Sequence, residues 1–143
     1  MKLTTFTDYS LRVLVHVATA PEGRATIAEI ARAYGISEHH LVKVVHMLGR
    51  EGFLLNSRGR GGGLRLAIPP ADITVGRVVR ATEGDEHPAD CAHCTIKDAC
   101  KLAHVFGEAM ESFYRVLDGY TLADLVANPR GLTRILHRVP AAA

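Results

Sequence analysis

The chain has 143 residues, of which 48% are hydrophobic and 22% charged, and its formal net charge is +2 at pH 7. This composition predicts one soluble domain with a real core, and no apolar run approaches the roughly 20 residues needed to cross a bilayer. The start, MKLTTFTDYS, lacks the pattern of a secretion signal, so we expect a cytoplasmic protein without membrane contact.

The charges divide unevenly along the chain. Residues 1–70 hold 9 Lys and Arg against 5 Asp and Glu, whereas residues 71–143 hold 8 against 10. The positive excess favours polyanion binding by the first half, and all three cysteines lie in the second half. Nucleic-acid binding and thiol chemistry are therefore expected in different parts of the chain.

Three helices are predicted in the first part of the chain, over residues 7–20, 24–35 and 38–51. Thr26 followed by Glu29 forms a capping box for the second helix. The short YGIS connection between the second and third helices resembles the turn of a helix-turn-helix.

The third helix carries a candidate DNA-reading face. Apolar residues at helical spacing predict one buried stripe, and the other side carries basic residues and histidines that can be protonated. This side could enter a major groove, although a solvated helix surface is the alternative. The candidate contacts from this helix and its cap are Ser37, Glu38, His39, His40 and Lys43.

Residues 53–66 follow as two short apolar runs around a glycine-rich tip, which predicts a β-hairpin. The tip is not a nucleotide-phosphate loop, because no GK[ST] follows it. A hairpin after a helix-turn-helix is typical of a wing, so Arg58 and Arg60 at the tip are candidates for a minor-groove contact. A solvent-exposed turn with incidental arginines is the alternative.

The remaining chain divides into four predicted segments. A short helix over 73–84 completes a winged helix-turn-helix domain at residues 1–84. Residues 85–100 form a loop that contains every cysteine, and residues 101–128 form a long helix followed by a short one. Residues 129–143 are expected to be a tail. The long helix has a heptad-like apolar seam of Leu102, Phe106, Ala109, Phe113, Val116 and Tyr120.

The cysteine loop CAHCTIKDAC contains Cys91, Cys94 and Cys100, which are too many for one disulfide and one too few for a four-cysteine metal site. Thiolates suit iron–sulfur clusters, zinc and Cu(I). His93 or His104 could complete a zinc site, and CAHC could instead be a redox pair. A 4Fe–4S cluster needs four external ligands, so three cysteines leave one iron for a weaker donor.

No Ser/His/Asp or paired-carboxylate arrangement is evident from the spacing, so an enzyme is not expected. Near the N-terminus, Asp8 stands in FTDYS, where its spacing favours an N-cap of the first helix.

The motif order resembles that of the winged-helix family that includes the NsrR and IscR iron–sulfur repressors. The resemblance spans residues 1 to about 128 and rests on LTTFTDYSLRVLVHVA, GISEHHLVKVV, RGRGGGLRL, the cysteine loop and YTLADLV. It implies a mainly α fold with a small β-wing, and a homodimer formed through the helix at 101–118. The sequence departs from the family pattern in CAHC, where only two residues separate the first two cysteines.

The resemblance also implies a cofactor and a signal. Cys91, Cys94 and Cys100 would hold an iron–sulfur cluster, 4Fe–4S or alternatively 2Fe–2S, in preference to zinc. Asp8 of the partner subunit would supply the remaining ligand, with His104 and His93 as alternatives. The protein would repress transcription from a palindromic double-stranded operator, and nitric oxide would damage the cluster and release the DNA. A regulator of the same fold that senses iron–sulfur status, thiol redox state or zinc is the alternative.

Overall fold

The computed structural model describes residues 2–84 and 87–138, and the described chain is mainly helical with one two-stranded antiparallel sheet. No described helix has the length and apolar character required to span a membrane. The elements in chain order are α1 (Thr5–Thr19), α2 (Ile27–Tyr34), α3 (Glu38–Arg50), β1 (Leu54–Ser57), β2 (Gly63–Leu66), a short 3-10 turn (Pro70–Asp72), α4 (Val75–Glu83), α5 (Leu102–Asp118), α6 (Leu122–Leu125) and α7 (Pro129–Leu136).

The predicted helix-turn-helix is confirmed as α2 and α3. The Thr26 side chain accepts from the Glu29 N–H, and the Glu29 carboxylate accepts from the Thr26 N–H, which completes the capping box. Gly35 ends α2 in the left-handed region at φ 65°, where a glycine avoids the clash of a Cβ. The Ser37 hydroxyl then accepts from the His40 N–H and begins α3.

The predicted wing is confirmed as the β1–β2 hairpin, in which Leu54 pairs with Leu66 and Ser57 with Gly63. Gly62 at its tip has no room for a side chain, because an added Cβ would collide with the Ser57 carbonyl. The segment between α1 and α2 also joins this sheet, since Ala25 bridges Leu64. The hairpin is therefore fixed at its base by the helical part of the domain.

One hydrophobic core holds the winged helix together, and burial of each large aliphatic side chain contributes about 1.5–3 kcal/mol. The fully buried residues come from α1, the helix-turn-helix, the hairpin and α4. Leu122 of α6 enters the same core, and its N–H donates to the Ile73 carbonyl at 2.8 Å. The chain after the cysteine loop thus returns to the winged helix.

The long helix α5 lies mostly outside this core, and none of its residues is buried in the described chain. Arg80 of α4 holds it through a bidentate ion pair with Asp118, with N–O distances of 2.7 and 2.8 Å. The Arg80 guanidinium also lies 4.3 Å from the centroid of the Tyr114 ring. Several large apolar side chains of this part of the chain remain exposed, namely Leu102, Val105, Val116 and Tyr120.

The expectation of a tail from residue 129 is wrong for residues 129–136, which form α7, while residues 139–143 lie outside the described chain. Thr133 Oγ1 donates to the Thr19 carbonyl at 3.4 Å, and Thr19 Oγ1 lies 3.1 Å from His137 Nε2. The rings of His16 and His137 pack against each other at a tilt of 59°, with centroids 4.3 Å apart. The two polar contacts join α7 and its C-cap to α1 across 114 and 118 positions, which a local sequence pattern does not indicate.

His16 is an unusual member of this contact, because its side chain is buried and neither ring nitrogen has a hydrogen-bond partner among the described residues. Burial, and secondarily His137, lower the pKa of His16 to about 4, while Glu29 opposes the shift. Tyr34 of α2 covers the ring from another side, with centroids 5.9 Å apart. The imidazole is therefore neutral in the folded protein near neutral pH.

Acidification should weaken the fold through His16. Between its ordinary pKa of 6.5 and its folded pKa of about 4, the unfolded chain binds a proton that the folded chain does not. The free energy of unfolding should thus fall as the pH drops through this window, by up to about 3 kcal/mol. Urea unfolding at a series of pH values measures this, and His16→Leu should flatten the dependence. Equal pH slopes in the two proteins would contradict the assignment.

Candidate cysteine site and nucleic-acid interface

The cysteine loop is a run of turns that leads into α5. The Cys94 N–H donates to the Cys91 carbonyl at 3.4 Å, and the Cys100 N–H donates to the Ile96 carbonyl at 3.0 Å. Cys100 Sγ accepts from the Leu102 N–H at 3.4 Å, so the start of α5 orients this sulfur. All three cysteines are free thiols, with Cys94 exposed and the other two partly buried.

A cavity of about 410 Å³ lies between this loop and the first turns of α5. Cys91 and Asp90 line it from the loop, and Ala103, Phe106 and Gly107 line it from the helix. The cavity is a mixed polar and apolar space with one thiol at its wall. Because both the loop and α5 line the cavity, a group held in it would contact the helix.

The donor chemistry of the loop fits an iron–sulfur cluster, because three thiolates are the soft ligands that such clusters take. The described residues do not gather three His, Cys, Asp or Glu side chains into a metal-binding group. The backbone bonds of the loop are local, and ligand binding can supply the free energy that closes such a segment. The loop therefore fits an iron–sulfur cluster in the type of its donors and in their position along the chain.

The two histidine alternatives for the fourth ligand each contact a carboxylate. His93 Nδ1 lies 2.8 Å from Asp90 Oδ1, and its side chain is 86% exposed. His104 Nε2 lies 3.5 Å from Glu108 Oε1 on the outside of α5. Neither imidazole belongs to a group of three potential metal ligands among the described residues, and their role as ligands stays a prediction.

Asp8 does not cap α1, and the interpretation of it as an N-cap is wrong. Thr4 is the N-cap, and its hydroxyl accepts from the Thr7 N–H. Asp8 instead lies in the first turn, where its carboxylate forms a bidentate ion pair with Arg12. Arg12 Nε donates to Oδ1 at 3.0 Å, and Arg12 Nη2 lies 2.9 Å from Oδ2. The Asp8 side chain is 47% exposed, so it is accessible to a second subunit.

Glu83 joins the start of α1 to the end of α4, and the sequence analysis missed it. Its carboxylate accepts from the N–H and hydroxyl of Thr4 at 2.8 and 2.9 Å, and from the Thr7 hydroxyl. Partial burial opposes ionisation of Glu83, but these hydrogen bonds lower its pKa overall. Glu83 thereby fixes the helix that carries Asp8 beside the segment that enters the cysteine loop.

The candidate reading face of α3 is exposed as predicted. Leu41, Val44 and Leu48 are buried on one side of the helix. The whole candidate set on the other side faces solvent, namely Ser37, Glu38, His39, His40 and Lys43. This exposure agrees with a groove-reading surface, and DNA contact by these residues stays a prediction.

The wing presents Arg58 and Arg60 as exposed side chains at its tip. Arg24, which the sequence analysis did not single out, braces this tip from the segment before α2. Its Nη1 donates to the Gly62 carbonyl at 3.1 Å, while its Nε and Nη2 donate to Glu22 at 3.0 and 2.8 Å. Only the folded hairpin brings Gly62 to Arg24, so no local pattern could have indicated this contact.

A family model described as Rrf2, an iron-dependent transcriptional regulator, matches residues 3–128. The chain belongs to the Rrf2 family. The match covers the winged helix, the cysteine loop, α5 and α6. It confirms the family predicted from the motif order.

Two relatives support the same placement in the Rrf2 family. The HTH-type transcriptional regulator NsrR of Bacillus subtilis is 46% identical over 142 residues, which covers 95% of this chain and 97% of the relative. The protein of the same name from Geobacillus kaustophilus shows the same identity and coverage. The chain is therefore a transcriptional regulator, and such relatives are not enzymes.

Solved structures of Rrf2 relatives confirm the fold. IscR of T. potens superposes with a TM-score of 0.74 at 29% identity, over 90% of this chain and 88% of its own. CymR, the global cysteine regulator of B. subtilis, superposes with a TM-score of 0.68 at 29% identity, over 89% and 97%. The mainly α winged-helix prediction is confirmed by these matches.

Proposed function

We propose that this Rrf2 regulator is a homodimeric repressor that binds a palindromic operator while it holds an iron–sulfur cluster, and that nitric oxide is its signal. The observation that carries the proposal is the position of the three free thiols. They lie on one loop between the winged helix and α5, so a group bound there would lie between these two parts of the chain. The resemblance to the NsrR branch supports nitric oxide as the signal.

Cys91, Cys94 and Cys100 would hold the cluster, and Asp8 of the partner subunit would complete its ligands. When bound, the cluster would supply iron atoms with which nitric oxide can react. A 4Fe–4S cluster matches three thiolates and one weaker oxygen donor, with 2Fe–2S as the alternative.

The homodimer would form through α5. Its exposed apolar side chains, Leu102, Val105 and Val116, have no cover in the described single chain. A second copy of the helix would bury them, as in other helix pairs with a heptad-like seam.

The chain's own contacts can transmit the state of the loop to DNA. Asp8 lies on α1, which packs directly against α3, and Glu83 fixes the start of α1 to α4. An Asp8 side chain held by the partner subunit would therefore restrain both recognition helices. When that restraint is lost, the two α3 helices would leave the half-site spacing of about 34–36 Å, and operator affinity would fall.

The decisive experiment is anaerobic purification of the wild-type protein, followed by a visible spectrum, iron and sulfide analysis, and operator binding before and after addition of nitric oxide. We expect a coloured protein with iron and sulfide that binds its operator and releases it on exposure to nitric oxide. A colourless protein with stoichiometric zinc after anaerobic reconstitution would favour the zinc alternative. Reversible loss of binding on thiol oxidation alone would favour the redox alternative.

A further inference from the structure

We propose that α7 is an additional DNA-contacting element, and that Arg130, Arg134 and Arg138 bind the phosphate backbone beside each operator half-site. These three residues are called the arginine ridge below. The inference rests on the proposed DNA-binding function and adds to it a surface outside the helix-turn-helix and the wing.

The charge of the arginine ridge is the first argument. Arg130 and Arg134 are four residues apart on one side of α7, and Arg138 follows two residues after the helix ends. All three side chains are exposed. Residues 125–138 contain no Asp or Glu. Within residues 2–84 and 87–138, no carboxylate forms an ion pair with any of the three arginines. Like charges at this spacing repel one another, and a polyanion would remove that cost.

The second argument is that α7 is a fixed platform. Thr133 and His137 contact Thr19 of α1, and the His137 ring packs at a tilt against the buried His16. Arg138 Nε donates to the Arg134 carbonyl at 3.1 Å, which ties the last arginine back to the helix end. An ordered cationic surface loses less conformational entropy when it binds phosphate than a flexible basic tail does.

The third argument is the position of α7 next to the DNA-binding elements. His137 lies near α2, because His137 and Tyr34 of α2 both pack against the His16 ring, with centroids 4.3 and 5.9 Å from it. Burial lowers the pKa of His137, and Glu29 in the first turn of α2 opposes that shift. In a helix-turn-helix the first helix, here α2, crosses the DNA backbone. The segment that leads into α2 carries Arg24, which bonds to the wing tip at Gly62. The end of α7 is thus beside the elements that approach the backbone.

The test compares two operator duplexes, one limited to the palindromic half-sites and one extended at both ends. The triple variant Arg130→Gln/Arg134→Gln/Arg138→Gln should bind the short duplex like wild type and the extended duplex at least roughly tenfold more weakly. The salt dependence on the extended duplex should also decrease, by up to about one unit of slope for each lost phosphate contact. The anaerobic wild-type protein with its cluster is the reference.

The matched control is the triple arginine-to-lysine variant, which keeps the charge and should retain the gain in affinity on the extended duplex. Lys43→Ala should weaken binding to both duplexes, so a failure of the proposed reading face is distinguishable from a failure of the ridge. Equal binding of wild type and the glutamine variant to the extended duplex would overturn the inference. An equal loss on both duplexes would overturn the flanking position of the contact.

Discussion

Replacement of Cys91, Cys94 or Cys100 by serine is expected to abolish stable cluster binding and cluster-dependent operator binding. Serine has nearly the same size as cysteine, but its hydroxyl is a harder and far less acidic ligand, so the loop would lose one of its three soft donors. Iron and sulfide content after anaerobic reconstitution, together with operator affinity, measures the effect. A serine variant with full iron content and wild-type affinity would refute the assignment of that cysteine.

Three other variants test which residue supplies the remaining cluster ligand beside the three cysteines. Asp8→Ala should retain much of the iron but weaken operator binding and the nitric-oxide response, because it removes the restraint from the partner subunit and leaves the thiolates in place. Unchanged affinity and response would exclude the coupling through Asp8. His93→Ala and His104→Ala are the controls, and a loss of metal in either of them alone would identify that histidine as the ligand.

The second large effect is expected at the DNA surface, from Lys43→Ala on α3 and Arg60→Ala on the wing. Each change removes an exposed cation that would contact phosphate or a groove edge. Operator affinity should fall in each variant, and the double variant should lose roughly the product of the two factors. The slope of log affinity against log salt should decrease by about one for each phosphate contact.

Arg115→Ala is the matched control for these two variants, because it removes an exposed cation from α5, away from α3 and the wing. Its affinity and salt slope should stay near those of wild type. Unaltered salt dependence in both Lys43→Ala and Arg60→Ala would show that the predicted faces do not contact DNA.

The sequence could predict those features that depend on a few neighbouring residues. Thr26 and Glu29 cap each other three positions apart, and Thr121 and Asp124 do the same before α6. The wing was predicted from two short apolar runs that flank a glycine-rich turn. The three cysteines and the exposed side of α3 were also recognisable, because residue type and helical spacing are local properties.

The cluster site is only partly predictable for a physical reason. A loop with three soft donors is evident from composition, but its closure depends on a bound group and on a second subunit, and neither is encoded in spacing. Asp8 illustrates this, because its neighbours in sequence favoured a helix cap, whereas Thr4 takes that position in the folded chain. Thr4 is held there by Glu83, 79 residues away.

The wing, the order of the helices up to α6, the family and the candidate ligands could be recognised in the sequence, since they depend on local patterns. Three features required the folded chain: Arg24 contacts the wing tip, Arg80 holds α5 through Asp118, and residues 129–136 form a helix that packs on α1. Each of these contacts joins residues that are 38 to 118 positions apart. Such pairs meet only after the core has packed, because hydrophobic burial decides which distant surfaces face each other.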